Sequence, residues 1–381
     1  FEGFITRGRV IPPTGSMQMK RKSIISSSGA HLRPTAALCG AAILSLCTVL
    51  SCAKIEVTPV EDADKGQIHY ELVPVKTETK ATVSEFPNTS TFGSTAWLLP
   101  EGKSWSGNSA EATLYIPEEE ISYKEKEGIW KAWKSGKIYA WPITGKLTFF
   151  SWSPMSLSTG TVKKLNVTKE KGFEINGWQM TATPGYGSDA TIATDGCTDI
   201  LLAQTTDVER KTTLGGVKTN FRHALCKVKF LATLATEQKA GEGKWVVKSV
   251  RLDDIYTKGN YITDKWAKHS DAQSYNNEGL AIELAFGENR EIFPETMMLP
   301  QYLTNGKQKI TLVCQRGTEP EKTLSGYIYN GTQNSLSAWQ SGKYISYLIT
   351  VGTEDSYIEF DATPGLWGFN PDSDVNIGVQ P

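Results

Sequence analysis

Few side chains in this 381-residue sequence are placed to do chemistry, and Cys52 is the first of them. Its thiol closes the run Val49-Leu50-Ser51-Cys52 and is positioned to accept a lipid. The four histidines, His31, His69, His223 and His269, form no HExxH or other ligand-spaced group, so metal chemistry has no anchor. No GxSxG elbow, Walker loop or dinucleotide glycine fingerprint occurs. Gly102 to Gly107 and Gly185 to Ser188 come nearest and read as turns. Asp372-Ser373-Asp374-Val375-Asn376-Ile377-Gly378 alternates oxygen ligands as a calcium loop does, but its glycine falls one place late and no distal Glu follows. The same residues read as a strand with Val375, Ile377 and Val379 on one face. Trp130 and Trp133 bracket Lys131-Ala132 and offer aromatic faces that could stack on a sugar. No enzyme and no cofactor is expected.

The context of Cys52 resembles a lipoprotein signal. Lys20, Arg21 and Lys22 supply a charged region, and Ala36 to Leu50 supply an apolar stretch too short to remain as a membrane span, which needs about 20 residues. Residues 1–51 therefore read as an upstream extension plus signal, with Met17 as the expected start. The mature chain would begin at Cys52, carry acyl groups, and be held at the outer membrane.

Beyond Cys52 only Cys197, Cys226 and Cys314 remain, too few for a disulfide scaffold, and they are expected to be buried thiols. A net charge of −1 gives no electrostatic reason to bind nucleic acid. From Thr82 onward, short runs rich in β-branched and aromatic residues alternate with Gly, Pro and Asn turns, as in Cys226 to Phe230 and Tyr344 to Val351. The expectation is an all-β chain of antiparallel sandwiches. Length favours two of them. The expected borders are an N-terminal strand segment over 52–80 (with Ile68 to Val75 as one isolated strand), sandwiches over 81–212 and 213–366, and a tail over 367–381.

Several stretches, in order, resemble the fimbrillin family of pilus subunits and pilus-associated lipoproteins. They are Thr79-Lys80-Ala81 with Phe92-Gly93 and Ala96-Trp97; Ala140-Trp141-Pro142 with Leu147 to Pro154; Asp199 to Ala203; and Val217 to Val228, with Phe221-Arg222-His223-Ala224-Leu225-Cys226-Lys227-Val228 the most distinctive. Leu299-Pro300-Gln301 and Trp339 to Tyr347 complete the series. The resemblance implies two transthyretin-like β-sandwiches in tandem, no catalysis, a surface location in a fimbria, and assembly by strand donation after proteolysis. Its partners would be other fimbrial subunits and, for a tip or anchor, a surface glycan or protein receptor. Family processing usually follows Arg, whereas the basic residues available here are Lys76 and Lys80. The tail residues Val375, Ile377 and Val379 have the alternation a donated strand needs. A monomeric lipoprotein that binds glycan through Trp130 and Trp133 is the alternative expectation. If Cys52 carries the lipid, Cys52→Ser abolishes labelling of the protein by a fatty-acid analogue in cells, and persistent labelling of that variant contradicts the assignment.

Overall fold

The computed structural model describes residues 66–73, 86–126, 130–159, 164–185, 199–212, 216–331, 335–352 and 358–366. All lie in one compact unit, Thr58–Pro381. Cys52, Lys76, Lys80, Val375, Ile377 and Val379 fall outside the described residues, as do Cys197 and the side chain of Trp130.

The fold is all-β, as expected. Its first half contains β1 (Tyr70–Leu72), β2 (Thr91–Leu99), β3 (Thr113–Lys126), β4 (Trp130–Ser135), β5 (Lys146–Ser153), β6 (Leu165–Thr168), β7 (Gly172–Gln179), β8 (Leu201–Val208), β9 (Val217–Thr219) and β10 (Arg222–His223). Then follow β11 (Cys226–Leu234), β12 (Trp245–Ile262), β13 (Lys265–Asn277), β14 (Ile282–Leu284), β15 (Arg290–Met298) and β16 (Gln301–Tyr302). The last are β17 (Lys309–Arg316), β18 (Lys322–Tyr327), β19 (Ala338–Trp339), β20 (Lys343–Val351) and β21 (Ile358–Leu366).

The first sheet has the order β10-β8-β5-β2-β3-β4-β1-β9. Its two ends, β9 and β10, are separated in sequence only by Asn220 and Phe221. A chain spans at most about 3.6 Å per residue, so the two edges lie within roughly 10 Å of each other and the sheet must curl back on itself. The Thr205 hydroxyl of β8 donates to the Lys218 carbonyl of β9 at 2.8 Å, tying the edges together. Inside the curl sit Phe92, Ala96, Ile116, Ile121, Leu147, Phe149 and Val217.

The second sheet runs β18-β17-β12-β7-β6, with β13 and β14 also paired to β12. It faces a third sheet of order β15-β11-β20-β21 across one core, which is a sandwich. Alternation along β11 sends Cys226, Val228, Phe230, Ala232 and Leu234 inward, and β20 answers with Ile345, Tyr347, Ile349 and Val351. Phe230 stacks on Tyr347 at 4.7 Å. On β12 the inward positions are Trp245 and Val247, then Val250 and Leu252. The one-residue slip coincides with a register shift against β17 between Val247 and Ser249, so a bulge keeps the apolar set on the core side. The chain is interleaved around the expected border at 212/213: β6 and β7 belong to the second sheet, while β9 and β10 belong to the first.

A third core joins the curled sheet to the second one. Phe150 and Trp152 of β5, with Trp97 and Leu99 of β2, leave the curl on its outer face and pack with Phe173, Ile175, Tyr261 and Trp266. Strands β2 and β5 are thus buried on both faces, which explains their near-continuous apolar character. Cys226 and Cys314 are free, buried thiols. The segment Thr233 to Lys239 leaves β11 at Leu234 and continues as a loop. Gly93 packs against the indole of Trp152, and a methyl group at that position would lie 2.2 Å from the ring. Gly93→Ala is expected to lower unfolding stability by at least about 2 kcal/mol, the scale of an overpacked core, measured by urea titration.

Candidate functional site

The candidate site is the place in the first sheet where β1 is held. The stretch Ile68 to Val75 reads as an isolated strand, but the structure inserts β1, within it, into the wall of the first sheet, antiparallel to β4 and parallel to β9. Tyr70 stands opposite Trp133 on one side and Val217 on the other. Ile68 and Tyr70 are buried, Leu72 packs partly against the same core, and Glu71 faces solvent. Each fully buried side chain of this size contributes about 2–3 kcal/mol.

The Tyr70 ring enters a cage of aromatic edges. It lies 5.6 Å from Phe92 and 5.8 Å from Phe149, both edge to face at 87° and 84°. Behind them, Trp133 contacts Phe92 and Phe86, and Phe86 stacks on Phe221 at 5.5 Å. Burial pushes the Tyr70 hydroxyl well above the usual phenol range, so it stays neutral. The backbone is held from both sides. The Ile68 N–H donates to the Tyr139 carbonyl at 2.7 Å and the Trp141 N–H to Gly66 at 3.1 Å. On the other flank the Val217 N–H donates to His69 at 2.8 Å and the Val73 N–H to Thr219 at 3.1 Å. Gly216 has φ +111, and a methyl there would come 2.8 Å from the His69 ring, so close approach of β1 requires glycine at this point.

A buried carboxylate steadies the loop that grips Gly66 to Ile68. Glu119 of β3 accepts from Lys137 Nζ and the Tyr139 hydroxyl, both at 2.6 Å, and from the Ser135 hydroxyl at 3.2 Å. Burial by itself pushes the Glu119 carboxyl up; the donors outweigh it and hold the group below its ordinary value. Burial and the Glu119 carboxylate together push the Tyr139 hydroxyl up to about 12. The carbonyl of that same Tyr139 accepts the first hydrogen bond of the inserted strand.

The expected residues are distributed unevenly around this slot. Trp133 is 6% exposed and fills the core between Phe92, Phe86 and Tyr123, so its ring offers no free face to a sugar and the expectation for it is corrected. Trp130 opens β4, and its side chain lies outside the described residues. Lys76 and Lys80 follow shortly after Val73 in sequence and also lie outside the described residues. Asp199 and His223, from two of the motifs above, meet as a buried carboxylate and imidazole Nδ1. His269 Nε2 donates to the Pro300 carbonyl at 2.8 Å, and His69 Nδ1 lies 3.3 Å from the Gln67 carbonyl. Among the described residues no group of three His, Cys, Asp or Glu side chains is placed to hold a metal, and no helix is long and apolar enough to cross a membrane. Tyr70, Glu119, Tyr139 and Gly216 were not singled out in the sequence. The available signal was the alternation from Ile68 to Leu72, which identifies a strand but not its partners.

A family model described as fimbrillin-like matches residues 74–367. The chain belongs to the fimbrillin-like family. Among solved structures, this fimbrillin-like chain is similar to a fimbrial protein from Bacteroides vulgatus, at 16% identity and a TM-score of 0.58, over 79% of this chain and 99% of that one. That likeness shows a shared fold. A Bacteroides ovatus protein assigned to cell adhesion matches at 16% identity, TM-score 0.44, over 79% of this chain and 96% of the other. The tip fimbrial protein Mfa3 from Porphyromonas gingivalis matches at 9% identity, TM-score 0.37, over 73% and 95%. Comparison with the curated proteins finds no match.

Because the folded Glu119 carboxyl titrates below its ordinary value of 4.5, the stability it contributes is present above that pH and is lost as pH falls through the lower, folded value. Glu119→Gln should therefore be less stable than wild type at neutral pH. The gap between the two should close in acid, and a gap that is unchanged between pH 7 and pH 3 in urea titrations would contradict the assignment.

Proposed function

We propose that this protein is a subunit of a bacterial surface fimbria, exported as a lipoprotein through Cys52 and assembled by exchange of β1 for a strand of another subunit. Membership of the fimbrillin-like family supports a fimbrial role at the cell surface, and the partners that follow are other fimbrial subunits. The observation that carries the assembly step is the position of β1. An N-terminal segment, followed in sequence by Lys76 and Lys80, fills an interior place between β4 and β9. Cleavage at either lysine would free the segment from the rest of the chain. Its departure would expose the apolar cage and the backbone groups of Tyr139, Trp141, Val217 and Thr219. An extended segment from a neighbour satisfies both kinds of demand at once, with main-chain hydrogen bonds and alternate side chains in pockets.

The test separates processing from donation. One variant carries Lys76→Gln with Lys80→Gln, and a second lacks Asp374 to Pro381. The expected outcome is that each stays folded and monomeric, while wild type forms ladders that survive mild denaturant. Assembly of both variants at the wild-type level would overturn strand exchange through these ends.

A further inference from the structure

The slot has a shape of its own, and that shape constrains what can replace β1. Three alternate positions point into the first sheet, occupied by Ile68, Tyr70 and Leu72. The central one is caged edge to face by Phe92 and Phe149, rings that are themselves fully buried. An aliphatic side chain there forfeits both aromatic contacts and leaves space that a close-packed wall cannot absorb. The tail of this chain offers Val375, Ile377 and Val379 as its alternating set, and no aromatic residue occurs from Asp372 to Pro381. Bringing Phe369 to the central position instead would set Trp367 and Pro371 at the two flanking ones, forcing an indole into a place built for Ile68 or Leu72.

Resting on the strand exchange proposed above, we propose that the slot selects its occupant by an aromatic side chain at the Tyr70 position. The strand that takes the place of β1 then comes from a different subunit carrying Tyr or Phe there, and not from the C-terminal tail of a second copy of this chain. Tyr70 is on this view the specificity-determining position, with Phe92 and Phe149 as the residues that read it.

The experiment uses the full chain with one sequence-specific protease site inserted between residues 76 and 80, nicked but otherwise whole. A fluorescent peptide of Gly66 to Val73 is exchanged into the slot and followed by anisotropy. Competitors are the unlabelled peptide, its Tyr70→Ile and Tyr70→Phe forms, and the tail peptide Asp372 to Pro381 with and without Ile377→Tyr. Two edge-to-face pairs correspond to about tenfold in affinity or more. The Tyr70→Ile peptide and the native tail should therefore compete at least about tenfold more weakly than the β1 peptide. Tyr70→Phe should lose less than Tyr70→Ile, and Ile377→Tyr should strengthen the tail. A Tyr70→Ile peptide or a native tail that competes within tenfold of the β1 peptide overturns the selectivity while leaving strand exchange standing. Failure of every peptide to enter, the β1 peptide included, overturns strand exchange and the selectivity with it. Should nicking unfold the chain, amide exchange at Ile68, Val73 and Val217 in the intact protein decides. Tyr70→Ile is expected to speed it by about tenfold over Tyr70→Phe, and equal rates in the two variants overturn the proposal.

Discussion

Everything in the first half of this molecule depends on closing one sheet. Strands β9 and β10 sit at opposite ends of its order, yet two residues join them, so the wall has to curl until its edges meet. Strand β4 does not pair with β9 directly; β1 lies between them and bonds to both. The segment that completes the wall is thus the one nearest the start of the described chain, and it is held by rings, by flanking carbonyls and by the room that Gly216 leaves for His69.

This closure propagates outward because the central strands are shared between layers. Leu147 and Phe149 of β5 line the curl, while Phe150 and Trp152 of the same strand reach the core beneath the second sheet. Beyond that core, the sandwich of the second and third sheets is built from its own alternating residues and does not draw on β1 at all. The buried pair Asp199 and His223 anchors β10 next to β8, at the end of the order opposite to β9.

The sequence disclosed most where burial is one-sided and local. The alternation of Cys226 to Phe230 and of Tyr344 to Val351 predicts strands, and both fall within strands, β11 and β20. It disclosed less where partners are remote. Ile68 to Leu72 is recognisable as a strand, but its neighbours β4 and β9 come from far along the chain, and no local pattern encodes that pairing. Trp133 looks like a surface aromatic because charged residues surround it, and only the register across from Tyr70 and Tyr123 turns it inward. Glu119 is hidden for the opposite reason: in a run of three glutamates it reads as solvated, whereas its donors Lys137 and Tyr139 come from the loop after β4. The ordered motifs of the family were legible throughout, and the family match covers most of the chain.

The central claim is that the place of β1 between β4 and β9 is taken by a neighbouring subunit in the assembled state. The most direct measurement is an electron cryomicroscopy reconstruction of the assembled fimbria at a resolution that distinguishes side chains. The expected result is a segment of another subunit in that place, with an aromatic ring between Phe92 and Phe149 and no connection to Gly66. Density for this chain's own Gly66 to Val73, continuous with its own residues on both sides of the slot, would contradict the claim.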